Sequence, residues 1–257
     1  MSIVVDEEKR IFTLHTKNST YQMMADRYGF LLHLYYGART DGNMDYLLTF
    51  MDRGFSGNPY DTGEDRSYSL DALPQEFPFR GMGDGRSHAF RVRAADGSCE
   101  CDLRYSSYEI VDKKYSLKGL PAVYAREGED SAQTLKVILE DKRLSLKVTL
   151  LYGILPKLDI ITRSVVISNT GENSFCIEKC QSACLDILHG SYDAITFYGR
   201  HGMERLVDRR AVSHGSFQIG SRRGYSSHQY NPFVILAERG CTETAGRCCC
   251  GTSPRSA

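Results

Sequence analysis

Apolar positions alternate with polar ones along most of the chain, and short turn signals separate the alternating runs. Residues 19–25 and 30–36 flank Asp26-Arg27-Tyr28-Gly29, the arrangement of a β-hairpin. Residues 90–94 and 99–105 flank Ala95-Asp96-Gly97-Ser98, where Asp-Gly supplies the positive φ angles of a tight turn. Leu135, Val137 and Leu139 alternate with polar neighbours. After Asp141-Lys142-Arg143 the alternation resumes at Leu144, Leu146, Val148, Leu150 and Tyr152. Residues 160–168, the turn Thr170-Gly171-Glu172-Asn173 and residues 174–188 carry it further. Period two dominates and period 3.6 is nearly absent, so no amphipathic helix of ordinary length finds a place before residue 240.

Many strands joined by short turns, with no helices between them, predict antiparallel sheets. A single sheet of so many strands would bury only one face of each, so two sheets packed face to face are expected. The predicted fold is all-β: a large two-sheet antiparallel β-sandwich, or supersandwich, over residues 1 to about 240. Two stretches interrupt the alternation, residues 49–85 and 221–233. Loops of this length are uncommon in compact domains and often carry function. Residues 241–257, CTETAGRCCCGTSPRSA, hold four of the nine cysteines and no alternation. They are expected to be an aberrant or disordered tail, from a shifted frame, a premature stop or an added scar. A reactive or metal-handling tail is the alternative.

Composition narrows the function classes. The chain has 257 residues with 41% hydrophobic side chains, enough for a sizeable core. Its 32 basic and 32 acidic residues cancel, leaving no field to draw in a polyanion, so nucleic acid is not an expected partner. No window approaches 18 consecutive apolar residues, so no membrane helix is expected. The acidic N-terminus, MSIVVDEEKR, lacks a basic segment followed by an apolar one. That predicts a cytoplasmic protein. Cys176, Cys180 and Cys184 would sit about 13 Å apart along a strand, beyond the reach of about 4.4–6.8 Å between bridged Cα atoms. Cys99 and Cys101 are a poor pair for the same kind of reason, so reduced, buried thiols are expected, with no structural metal. There is no Gly-rich phosphate cradle, GxSxG elbow or HExxH, and no cofactor is expected.

The acidic loop offers Asp52, Asp61, Glu64, Asp65, Asp71 and Glu76. Paired carboxyls about 5–9.5 Å apart would serve a glycosidase, but a loop rich in Asp and Gly is also what a solvated surface looks like. His33, His88, His189, His201, His214 and His228 are scattered and read as surface or core-edge residues. Asp52-Arg53-Gly54-Phe55 is chemically more specific. A carboxylate accepts from adjacent sugar hydroxyls in charge-assisted bonds, and an aromatic ring covers the apolar C–H face. The competing reading is an Asp–Arg ion pair closing a strand end, with Phe55 as a buried staple. Arg222 and Arg223 read as loop-tying residues rather than a phosphate or RNA site.

Eight segments, in order, resemble the N-terminal β-sandwich domain of the α-galactosidases of glycoside hydrolase family 36. They are HLYYG at 33–37, DRGFSGNP at 52–59, RSYSLDALPQEFP at 66–78, DGSCECDLRY at 96–105, LKGLPAVY at 117–124, ITRSVVISNTG at 161–171, YGRHGMER at 198–205 and SRRGYSSHQYNPF at 221–233. The resemblance implies a retaining enzyme whose catalytic aspartates lie in a (β/α)₈ barrel that has no counterpart in this sequence, so no catalytic residue is expected here. It further implies that this domain contacts an α-galactoside held by a neighbouring subunit, in a homo-oligomer that is a tetramer in full-length relatives. On that basis Asp52 is a substrate-binding residue, with Phe55 beside it. His201 takes a position where relatives carry a substrate-facing tryptophan, a departure that alters the contact. The alternative is a non-catalytic carbohydrate-binding or assembly module.

Overall fold

A computed structural model describes residues 2–52, 54, 58–81, 83–120, 122–125, 131–187, 190–223 and 229–239. Among them there are thirteen β-strands and no α-helix, and thus no helix able to cross a membrane. The all-β sandwich predicted from the alternation is what forms. The chain divides into two compact units, Met1–Asp186 and Ile187–Ala257.

In the larger unit, β1 (Ile3–Asp6), β2 (Ile11–His15), β3 (Ser19–Ala25) and β4 (Leu31–Ala38) form one antiparallel sheet in sequence order. β6 (Arg104–Val111), β7 (Gln133–Asp141), β8 (Leu146–Leu155) and β9 (Ile160–Asn169) form another. Leu135, Val137, Val148 and Leu150 project from the second sheet into a core shared with Ile11, Phe12, Leu14, Met23 and Leu32 of the first. The Phe12 ring lies 5.2 Å from that of Tyr108 and 5.9 Å from that of Tyr105, so the two sheets touch through aromatic side chains. The β3–β4 hairpin turns where the sequence places it. Asp26 Oδ1 accepts from the N–H groups of Tyr28 (2.9 Å) and Phe30 (2.8 Å), and Gly29 takes the left-handed φ of +83° that this reversal needs.

Four expectations are corrected. Residues 95–98 do make a turn, with Ala94 N–H donating to Ser98 O at 2.8 Å, but β5 (Phe90–Ala94) does not pair with the segment that follows. Its partner is β10 (Phe175–Cys180), in register Phe175↔Ala94. A turn fixes only the local reversal; the pairing partner is chosen by packing. β10 also ends at Cys180, so Cys184 lies outside the strand. Of the five described cysteines, all free, Cys101 is buried while Cys176 and Cys180 are exposed. The spacing argument for unbridged thiols agrees with these free cysteines, but not their burial: Cys176 and Cys180 lie on the two-stranded β5–β10 ladder and are exposed. His33, read as a surface or core-edge residue, is buried at 3% exposure.

His33 belongs to a polar cluster inside the larger unit. Glu76, fully buried, accepts from Tyr21 Oη (2.6 Å) on β3, from Tyr152 Oη (2.7 Å) on β8 and from Arg163 Nη1 on β9. His33 Nδ1 on β4 lies 3.4 Å from Glu76 Oε2. Arg163 also stacks 4.2 Å over the Tyr152 ring. Burial pushes the Glu76 carboxyl up, but the Arg163 charge, the neighbouring His33 and the bond from Tyr21 outweigh it and hold the pKa at about 2. Burial, reinforced by the Glu76 charge, drives both tyrosine hydroxyls well above their ordinary value.

The smaller unit holds β11 (Tyr192–Arg200) between β12 (Met203–Ala211) and β13 (Tyr230–Glu238). Asp193 on β11 accepts from Arg209 Nε and Arg239 Nε, both at 2.8 Å, tying the residues that flank it on either side. These bonds, that from Arg239 first, hold its carboxyl below the usual range.

Two predictions follow from this architecture. Leu150→Ala removes a fully buried side chain of β8 and should cost about 2–5 kcal/mol, read as a lower urea midpoint at unchanged slope. Glu76 has a folded pKa below its unfolded value of 4.5, so the unfolded chain takes up this proton first. Its contribution is present in full above pH 4.5 and is lost as pH falls toward 2. The difference in urea midpoint between wild type and Glu76→Gln should therefore be constant from pH 7 to about 5 and shrink below that. At neutral pH the substitution, which leaves Arg163 buried without its counter-charge, should cost about 3–5 kcal/mol.

Candidate functional site

The chain from Arg39 to Ala89 joins β4 to β5, and its described residues form no strand of their own. Its first part returns over the first sheet, where Gln22 Nε2 donates to Gly42 O (2.9 Å) and Gln22 Oε1 accepts from Met44 N–H (3.0 Å). Its last part is held by Arg86, whose Nη2 donates to Leu70 O (3.0 Å) and Leu73 O (2.8 Å) and whose Nη1 pairs with Asp186 at 2.9 Å. Between these moorings the loop presents the acidic residues singled out from the sequence.

Those residues have different surroundings. Asp61 pairs with Arg104 Nη2 at 2.8 Å, and Arg104 in turn stacks 3.9 Å over the Phe30 ring. Asp65 accepts from Ser67 N–H and Oγ and pairs with Arg27 Nη2 at 2.8 Å. The Ser67 bonds and then the Arg27 charge lower its pKa. Asp71 accepts from Gly85 N–H at 3.1 Å. Glu76, a loop carboxylate in the sequence reading, is instead part of the core cluster. Every carboxyl among the described residues whose pKa moves is moved down, whereas a glycosidase proton donor needs one moved up.

Asp52 is 62% exposed in its side chain. Its Oδ1 accepts from Gly54 N–H at 2.7 Å, closing a turn in which Gly54 takes a φ of +72°. This is the short Asp side chain folding onto its own backbone two residues on. Arg66 Nε donates to Gly54 O at 3.1 Å and lies 3.5 Å from Asp52 Oδ1. The cation beside Asp52 is thus one that sequence adjacency does not reveal. Arg53 and Phe55 lie outside the described residues.

His201 stands at the β11–β12 turn with a side chain 96% exposed, its Nδ1 3.9 Å from Glu204 Oε1. Gly202 N–H donates to the same oxygen at 3.1 Å. Asp52 belongs to the larger unit and His201 to the smaller. Arg222 N–H donates to Gln229 Oε1 at 3.2 Å, a bond within the loop itself. Among the described residues no group of three or more His, Cys, Asp or Glu side chains could hold a metal ion.

Sequence reasoning missed Arg66 and the cluster around Glu76. Arg66 opens the segment RSYSLDALPQEFP, but nothing in that run shows that it reaches a residue fourteen positions earlier.

Comparison with known proteins locates the chain. The sequence profile of the glycosyl hydrolase family 36 N-terminal domain matches residues 29–252. The bifunctional alpha-galactosidase/sucrose kinase AgaSK of Mediterraneibacter gnavus is 56% identical over 248 residues, which are 96% of this chain and 26% of that protein. Alpha-galactosidase Mel36A of Lactobacillus acidophilus is 40% identical over 245 residues, 95% of this chain and 33% of that one. The solved galactosidase domain of AgaSK superposes with a TM-score of 0.89 at 56% identity, covering 95% of this chain and 34% of that one. A variant of the family 36 α-galactosidase AgaA from Geobacillus stearothermophilus, solved in complex with raffinose, gives a TM-score of 0.84 at 38% identity, over 90% of this chain and 32% of that one. The chain therefore spans between a quarter and a third of the length of the relatives it matches. It belongs to glycoside hydrolase family 36, of which it is the N-terminal domain.

Proposed function

We propose that this chain is the substrate-contacting and oligomerising part of a retaining α-galactosidase, one that removes terminal α-D-galactosyl residues from oligosaccharides such as raffinose and melibiose. The observation that carries this reading is the Asp52 turn. Its carboxylate is exposed, oriented by its own backbone, and set on a loop whose ends are bonded to the rest of the unit. A fixed, solvated carboxylate accepts hydrogen bonds from two neighbouring sugar hydroxyls at little cost in ordering. Support comes from variants of a relative that shares this domain, solved in complex with raffinose and with stachyose.

In this reading Asp52 reaches a galactose held by a neighbouring subunit, and Phe55 adds an apolar surface beside it. His201 offers a smaller ring than an indole but two ring nitrogens that hydrogen-bond. The chain supplies contact, not bond cleavage. Retaining hydrolysis needs a nucleophile and a proton donor on opposite sides of one glycosidic bond. One exposed carboxylate does neither job alone.

The purified 257-residue chain should release no p-nitrophenol from p-nitrophenyl α-galactoside above the buffer rate, and measurable turnover would overturn the assignment of catalysis to a part outside this chain. Calorimetric titration with raffinose should give a dissociation constant weaker than about a millimolar, because a contact completed by a second partner is incomplete without it. Tighter binding would identify a free-standing sugar-binding module instead.

A further inference from the structure

Arg66 is the one described side chain that touches both ends of the Asp52 turn. It donates through Nε to Gly54 O at 3.1 Å, and the same nitrogen lies 3.5 Å from Asp52 Oδ1. The turn itself is small: one bond from Gly54 N–H to Asp52, closed through a left-handed glycine. A turn this small takes its direction from what it is bonded to, and among the described residues that is Arg66. Arg66 supplies that direction because its neighbours are anchored. Asp65, on one side, accepts from Arg27 at 2.8 Å and from both donors of Ser67. Tyr68, two residues on, is 1% exposed and donates its hydroxyl to Asp26, the residue that organises the β3–β4 turn. Hydrogen bonds at Tyr68 and at Arg66, joined by the short stretch of chain between them, thus connect a core hairpin to the exposed Asp52 turn.

We propose that Arg66 is the positioning residue of Asp52, and that the two side chains together form an acceptor–donor pair reading adjacent hydroxyls of a galactosyl group. The first half stands on the geometry alone. The second rests on the sugar contact proposed above for its ligand. Arg66 is 59% exposed in its side chain, so the guanidinium keeps an outer side open to solvent while Nε is engaged. A planar fork fits this double duty, since one edge binds the protein while the other presents N–H donors. A carboxylate only accepts. A vicinal diol both donates and accepts, and a site with an acceptor beside a donor answers both functions at once.

The test is amide hydrogen exchange by NMR on the 257-residue chain, read at Gly54, with Val148 in the core as an internal reference. Arg66→Gln should speed exchange at Gly54 about fivefold, the factor for one exposed charge-assisted bond, and leave Val148 unchanged. Arg66→Lys should behave like Arg66→Gln, because the ammonium, a mobile point donor at the end of a flexible stem, does not reproduce the fixed Nε contacts to the carbonyl and the carboxylate. An unchanged Gly54 rate in Arg66→Gln would overturn the positioning role. Full recovery in Arg66→Lys would also overturn it, reducing Arg66 to a nearby charge. Titrating the same samples with galactose separates the two halves. The wild type should show shifts at Gly54 at high sugar concentration, weakened about fivefold in Arg66→Gln. If galactose moves nothing in the loop of the wild type while Gly54 still responds to Arg66→Gln, the sugar contact fails and the positioning role survives.

Discussion

The larger unit depends on one buried carboxylate. Glu76 is enclosed by side chains from four strands, β3, β4, β8 and β9, which belong to both sheets. Taking two charges out of water costs several kcal/mol per ion, and their attraction offsets this only where the geometry is good and the remaining lone pairs are satisfied. Two tyrosine hydroxyls and an arginine meet that condition for Glu76. Arg163 is less completely served: its Nε and Nη2 have no hydrogen-bond partner among the described residues, and the face of Tyr152 supplies part of what is missing. The cluster is thus better at specifying than at stabilising. It favours one register of β3 on β4 and one of β8 on β9, because a slip by one residue within either sheet would turn Tyr21 or Arg163 to the wrong face.

The same carboxylate belongs to the long connection between β4 and β5, and this is how the fold reaches the exposed site. Glu76 N–H donates to Leu31 O at 2.9 Å, and His33 N–H donates to Pro74 O at 2.8 Å, so the loop runs against β4 where its charged side chain enters the core. Upstream, Tyr68 and Asp26 make a second fixed point, and Arg104 with Asp61 a third. A connection of this length whose described residues form no ladder of their own would otherwise lose much of its order to chain entropy. Side-chain bonds take the place of a strand, and the outermost residues, Asp52 among them, are held from below while their polar atoms stay in water.

What was legible in the sequence follows from which interactions are local. The β7–β8 hairpin shows in the sequence because Leu135, Val137 and Leu139 face Tyr152, Leu150 and Val148 across a short turn. The β3–β4 turn is legible because Asp26 and Gly29 carry its chemistry within four residues. The pairing of β5 with β10 is not, since its two strands are some eighty residues apart and the Asp-Gly turn after β5 points to a nearer partner. β2 was also hidden: all five of its residues are buried, so Ile11 to His15 shows no clean alternation. At the site, Asp52 stands out through its neighbours in the chain. Its partner Arg66 and the partners of Glu76 are fixed only by folding, with Tyr21 lying 55 positions from Glu76 and Arg163 lying 87.

Glu76 and Asp52 show why residue type alone does not reveal a role. Both are acidic residues of one polar loop, and both have an arginine within reach. Arg163 meets Glu76 where water is excluded, with hydroxyl donors around it, so charge attraction and hydrogen bonding are spent inside the protein and hold the carboxyl at about 2. Arg66 meets Asp52 at the surface, at a distance and exposure where an ion pair contributes at most about 1 kcal/mol. In the sugar contact proposed for Asp52, that weakness leaves its carboxylate available. A carboxylate whose partners are weak and whose backbone is fixed can trade water for a sugar hydroxyl with little rearrangement, while one bound as Glu76 is bound would have to unfold its surroundings to do so.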